Sequence, residues 1–169
     1  MATWLPKASW AALGLVLAAS AGGCASTTAR EWVEQQLASA VQHALAPVPE
    51  DGGEDRYSGE TREGLPHGRG TLAGADGSLY TGQWRRGQQN GRGVYRWPNG
   101  DQYVGEFAWG ELEGFGVFTG VEGDRYEGEW RAGRQHGRGK YDWADGRVYR
   151  GEFHDGMKWG EGELRLADG

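Results

Sequence analysis

The sequence predicts a mainly β protein: an elongated, single-layer, twisted antiparallel sheet of five 23-residue β-hairpin repeats, preceded by one amphipathic helix. Three observations carry this. Tyr57, Tyr80, Tyr103, Tyr126 and Tyr149 stand 23 residues apart, with no insertion between them. Glycine makes up 32 of the 169 residues, and all but those at positions 14, 22, 23, 52 and 53 fall in residues 57–169. Hydrophobic residues reach only 37%, too few for a thick core of Leu, Ile and Val. The 9 tryptophans and 7 tyrosines equally exclude a disordered glycine tail.

Residues 1–23 read as an export signal. Lys7 supplies the positive start, and the run from Ala11 to Ala21 is apolar but too short to span a membrane. Ala21-Gly22-Gly23-Cys24 resembles the lipobox of bacterial lipoproteins, although Ala21 stands where that family prefers Leu. The resemblance implies cleavage before Cys24 and its acylation, hence a lipid-anchored protein of the bacterial cell envelope. A competing cut fits Ala19-Ser20-Ala21 and would leave a soluble periplasmic chain starting at Gly22. The anchored form is preferred because a lone cysteine in an exported chain otherwise has no role. In that family an Asp just after the cysteine often signals inner-membrane retention. Ala25 and Ser26 stand there, which leans toward the outer membrane, with periplasmic or surface exposure left open.

Residues 24–56 hold the acylated cysteine, a helix and an acidic hinge. Thr28 followed by Glu31 forms a capping-box pattern. Val33, Leu37, Val41 and Leu45 recur at every fourth position, predicting a helix from about Ala29 to Leu45 that Pro47 and Pro49 end. Its polar face carries Glu31 and Glu34 and only one basic residue, Arg30, which disfavours a helix lying on a membrane surface. The apolar stripe is expected to pack on the following domain, with self-pairing as the alternative. Glu50-Asp51-Gly52-Gly53-Glu54-Asp55 is a solvated hinge.

From Tyr57 onward each unit (57–79, 80–102, 103–125, 126–148, 149–169) opens Tyr-x-Gly-x-aromatic. That alternation has period two, so it is a strand, with the tyrosine, the glycine and the ring on one face. A second strand, Gly-x-Gly-x-aromatic, places Gly91, Gly93, Tyr95 and Trp97 on one face and Arg92, Val94 and Arg96 on the other. Asp76-Gly77, Asn99-Gly100 and Asp145-Gly146 are hairpin-turn signals. Glycines inside strands expose bare backbone on which a ring can lie. The pattern Y-x-G-x-[WF]-x-x-G-x-x-x-G-x-G, from Tyr57 to Gly169, resembles the MORN repeat family; Thr61 departs from it at the first aromatic position. The resemblance implies a twisted sheet of hairpins with an aromatic groove, used for binding or scaffolding rather than catalysis.

The expected binding face is formed by Tyr80, Trp84, Tyr95, Trp97, Tyr103, Phe107, Phe118, Tyr126, Trp130, Tyr141, Trp143, Tyr149 and Phe153. Units two and four are near copies, giving a super-period of 46 residues in which Trp97 and Trp143 flank a slot at Gly120. Packing of rings against one another is the plain reading of this row; stacking surfaces for a peptide or sugar is the functional one.

No catalytic constellation emerges. His67 and His136 share the eleventh position of their units, where Asn90, Glu113 and Trp159 stand in the others, which marks a structural position. His154 replaces an arginine, His43 lies in the helix, and no two histidines have metal-ligand spacing. Glu106, Glu129 and Glu152 are expected to pair across strands with Arg62, Arg85 and Arg131. The Gly-Arg-Gly elements lack the Lys-Ser/Thr and helix of a phosphate loop, and no calcium loop occurs. No metal and no cofactor are therefore expected. Net charge is −6, with 15 basic and 18 acidic residues in 57–169, which excludes a nucleic-acid footprint and a polybasic lipid face.

The leading expectation is a non-enzymatic envelope lipoprotein that recruits a protein or peptide. The alternative is a lipoprotein that binds peptidoglycan or polysaccharide through Trp97, Trp143, Tyr95 and Tyr141. An envelope enzyme and a phospholipid-binding module rank lower. The strand from Gly160 to Leu166 reads as an open edge, where Trp159, Leu164 and Leu166 favour a homodimer and Glu161, Glu163 and Arg165 oppose it.

Overall fold

The computed structural model describes residues 28–43 and 53–167, with side chains omitted for 38–43. The signal segment, Cys24 and the start of the acidic hinge lie outside the described residues. Helix α1 spans Ala29–His43. Both arms of its capping box form: the Glu31 amide donates to Thr28 Oγ1 at 3.2 Å, and the Thr28 amide donates to the Glu31 carboxylate at 2.9 Å.

Ten strands follow: β1 (Arg56–Arg62), β2 (Leu65–Ala73), β3 (Leu79–Arg85), β4 (Gln88–Arg96), β5 (Gln102–Ala108), β6 (Glu111–Thr119), β7 (Arg125–Arg131), β8 (Arg134–Asp142), β9 (Val148–His154) and β10 (Met157–Arg165). They make one antiparallel sheet in sequence order. A fixed period in an antiparallel meander lines equivalent residues up as rows across the strands. One row is glycine on all ten: Gly59, Gly70, Gly82, Gly93, Gly105, Gly116, Gly128, Gly139, Gly151 and Gly162. Two residues along, the row reads Tyr57, Leu72, Tyr80, Tyr95, Tyr103, Phe118, Tyr126, Tyr141, Tyr149 and Leu164.

The tyrosines of the odd strands fold over onto the glycine row. A methyl group at Gly93, Gly116 or Gly139 would overlap the ring of Tyr80, Tyr103 or Tyr126. Each phenol then donates to the carbonyl three residues on, as in Tyr80 to Gln83 (2.8 Å), Tyr103 to Glu106 (3.0 Å) and Tyr126 to Glu129 (2.9 Å). The register shifts at these points, and such a bulge locally disrupts the ladder and leaves a backbone group for another partner.

Two kinds of turn alternate. Within each unit the strands meet at a two-residue turn whose central residues both have positive φ, as at Trp109 (53°) and Gly110 (88°), the requirement of a type I′ hairpin. Between units a longer turn ends on a glycine, with the Gly100 amide donating to the Trp97 carbonyl at 2.9 Å. Asp76-Gly77, Asn99-Gly100 and Asp145-Gly146 lie in these inter-unit turns, so they join hairpins rather than close them. A carboxylate twenty residues earlier in the chain caps the inter-unit turn: Asp55 accepts from the Ala75 amide, Asp101 from Val121 and Asp124 from Ala144, at 2.8–3.0 Å. At the one remaining junction the equivalent pair is Ser78 with Pro98, which has no amide hydrogen.

The opposite face carries a row that changes character along the sheet. Val94, Val104 and Val117 sit side by side, and the row continues through Glu127, Lys140 and Arg150. α1 covers the valines: Val33 is buried against Val104 and Val117, with Trp32, Leu37 and Phe115 around them. Arg30 reaches Glu127 at 2.8 Å, fixing the helix against the charged end of the row. The expected docking of the helix stripe is thus seen for Val33 and Leu37, while the side chains of Val41 and Leu45 lie outside the described residues.

Candidate functional site

The residues expected to form a binding face divide into two sets. Tyr80, Trp84, Tyr103, Phe107, Tyr126, Trp130, Tyr149 and Phe153 are buried, none more than 8% exposed. They form the core and not a binding face. Together with Tyr57 they make an unbroken zigzag of rings in edge-to-face contact, from Tyr57–Trp84 to Tyr149–Phe153. Every centroid separation in it is 5.0–5.3 Å and every interplanar angle 82–90°. The physical reason is the glycine row. Without side chains beneath them the rings sink onto backbone and touch each other, so a single layer buries aromatic area. The super-period has a polar cause as well. Trp84 and Trp130 donate Nε1–H to the carbonyls of Gly70 (3.1 Å) and Gly116 (3.2 Å), a bond that Phe107 and Phe153 cannot make.

The second set, Tyr95, Trp97, Phe118, Tyr141 and Trp143, is half-buried. These rings lie beside the inter-unit turns. Trp97 stands 4.8 Å from Tyr95 and 5.8 Å from Phe118 by ring centroids, and Tyr141 stands 4.7 Å from Trp143. Phe118 leans toward Gly120, where an added methyl would lie 3.5 Å from its ring, so the slot between the two tryptophans is already furnished. Trp143 is engaged by cations: Lys158 Nζ is 4.1 Å from its ring centroid, and the Arg147 guanidinium is 5.0 Å away. Tyr141 donates to Asp124 at 2.8 Å.

Burial, first, and the bond to Asp124, second, push the Tyr141 phenol up to about 12. Burial pushes Tyr80, Tyr103 and Tyr126 higher still, with Glu106 adding to the effect at Tyr103 and Glu129 at Tyr126. These phenols stay protonated in the fold after free tyrosine ionises near 10. The unfolded chain therefore loses protons first, and stability falls as pH rises above about 10. Urea titrations at stepped alkaline pH, read with tyrosinate absorbance, are expected to show the unfolding midpoint dropping before the buried tyrosines ionise. Tyrosinate appearing in folded protein near pH 10 for all seven tyrosines would reject this.

The acidic ladder serves the backbone and not the arginine side chains. Glu60, Gln83, Glu106 and Glu129 accept the backbone amides of Arg69, Arg92, Phe115 and Arg138 at 2.7–3.1 Å. This holds the bulge with hydrogen bonds that are charge-assisted where the acceptor is Glu, in place of the expected pairing with Arg62, Arg85 and Arg131. Arg85 instead lies over Trp109, 5.5 Å from its ring. An open depression of about 500 Å³ over β1–β4 is lined by Glu60, His67, Gln83, Trp84, Arg85 and Asn90, among others.

The histidines are also rearranged by the fold. His136 and His154, 18 residues apart in the chain, stand with ring centroids 4.9 Å apart. The signal that could have found them is the repeat itself. The eleventh position of one unit faces the sixth and seventh of the next, as where the Ala132 amide donates to Glu113 at 3.1 Å. No helix among the described residues is long and apolar enough to cross a membrane.

An open sheet of repeated hairpins, cored by a self-contained aromatic zigzag and partly covered on its reverse by a helix, fits a β-repeat interaction module. The chain belongs to the MORN repeat family, whose model matches residues 57–79, 80–102, 103–125, 126–146 and 149–169. No curated protein matches the chain.

Proposed function

We propose that the chain is a non-enzymatic interaction module of the bacterial envelope, acylated on Cys24, that binds a protein or peptide through its half-buried aromatic strip. The strip of Tyr95, Trp97, Phe118, Tyr141 and Trp143 is the observation that carries the reading. Its rings keep an exposed part while the rest of the aromatic row is sealed. The reverse face is partly taken by α1, and Glu60, Glu106 and Glu129 are engaged by backbone amides, which removes these three from general acid–base work. The cations over Trp143 favour a peptide over a sugar ring, which needs a free aromatic face.

The docked helix sharpens the tether. α1 begins at Ala29, so at most about 18 Å of extended chain separates it from the lipid-bearing residue. The sheet then sits close to the membrane rather than on a long stalk.

Photo-crosslinking in cells, with the full chain and with a Trp97→Ser/Phe118→Ser variant of unchanged far-UV circular dichroism, tests the reading. A protein adduct lost in the variant supports it. Equal capture by both forms, or capture of purified cell wall that depends on Trp97 and Trp143, overturns it. Palmitate label persisting on a Cys24→Ser chain would overturn acylation at Cys24 while leaving the binding face untouched.

A further inference from the structure

We infer that His136, His154 and Asp155 form a binding site for a divalent first-row cation that favours imidazole, of which Zn²⁺ is the type. Their ligand atoms all lie within 4.8 Å of one another. Asp155 reaches both rings: one carboxylate oxygen is 3.8 Å from His136 Nδ1 and the other 3.4 Å from His154 Nδ1. Ligands of a tetrahedral zinc, at about 2.0–2.1 Å from the ion, stand roughly 3.4 Å apart, so side-chain adjustment within the cluster suffices. Two imidazoles and one carboxylate match zinc's preference, and three protein ligands leave a fourth position for water or an incoming group.

A second observation points the same way. His136 Nδ1 is shielded from solvent and has no hydrogen-bond partner. A buried nitrogen of that kind calls for a proton acceptor, a donor or a metal. Here it faces the cluster and not the core.

The repeat supplies internal controls. His67 holds the same eleventh position in unit one, but the facing residues of unit two are Arg85 and Arg86, which repel a cation. At the next two junctions Asn90 faces Ala108 and Trp109, and Glu113 faces Arg131 and Ala132. Only the junction of units four and five brings two imidazoles and a carboxylate together among the described residues. The backbone is suited as well. Asp155 occupies the first position of its tight turn with φ of 49°, a conformation that Asp and Asn tolerate better than other residues with side chains. The bound ion would join β8 to the β9–β10 turn, clamping the last hairpin to the array.

The test uses the full tag-free chain titrated with Zn²⁺ by calorimetry and with Co²⁺ by visible absorption. One ion per chain is expected, with intense Co²⁺ bands of low coordination number. His136→Ala and His154→Ala should each weaken binding at least tenfold, and Asp155→Asn should weaken it while preserving the turn. His67→Ala should bind as wild type. His154 is exposed, so its replacement leaves the core intact, and far-UV circular dichroism checks this. Affinity unchanged in the His154→Ala and Asp155→Asn chains, or lost equally in His67→Ala, overturns the site, as does no uptake at micromolar metal.

Discussion

Gly116→Ala is expected to destabilise the sheet by about 3 kcal/mol, at the upper end for overpacking of a core, although it adds only one methyl group. The added carbon would fall within the Tyr103 ring envelope. That ring cannot retreat, because it is fully buried and packs edge-on against Phe107 and Trp130 at 5.2 and 5.3 Å. Gly133→Ala is the control. Its added methyl would meet nothing within 4 Å, and only the φ of 74° opposes it, so about 1 kcal/mol is expected. Urea unfolding of the two variants separates the causes. Equal losses would mean that backbone conformation, and not ring seating, dictates the glycines.

Tyr103→Ala is expected to cost about 4 kcal/mol, the range for removing a large buried side chain. It opens a gap in the middle of the ring zigzag and strips two neighbours of an edge contact. Tyr103→Phe keeps the ring and loses only the 3.0 Å bond to the Glu106 carbonyl, so about 1 kcal/mol is expected. Tyr57→Ala, at the end of the row, should be mild. Tyr57 is half-buried and its one neighbour in the zigzag is Trp84. A flat response along the row would contradict a core that is shared from unit to unit.

Much of this architecture is readable from the chain. Period-two alternation from Tyr80 to Trp84 gives the strand, and Gly82 and Gly93 give the bare backbone under the ring. Connections of alternately two and five residues between successive strands force the meander. What stays hidden has local causes. The tight turns place Glu63, Arg86, Trp109 and Ala132 at positive φ, residues that propensity does not assign there. The bulge and the carboxylate that serves it recur together, and this is why Glu129 turns to the Arg138 amide instead of an arginine side chain. Whether Tyr103 is a surface or a core residue depends on how deep a ring sinks onto glycine, which alternation does not encode. The pairing of His136 with His154 follows from strand neighbours one unit apart, which a motif search within a unit does not reach.

A strictly periodic sheet carries no landmarks. Each unit adds two strands, about 10 Å of length, and presents the same contour as the one before. The Val94–Val104–Val117 trio breaks that equivalence, because only there does the polar face turn greasy enough to seat α1. The helix therefore acts as the zero mark of a ruler: any partner that touches both α1 and the aromatic strip would read not just the motif but how many units along it sits.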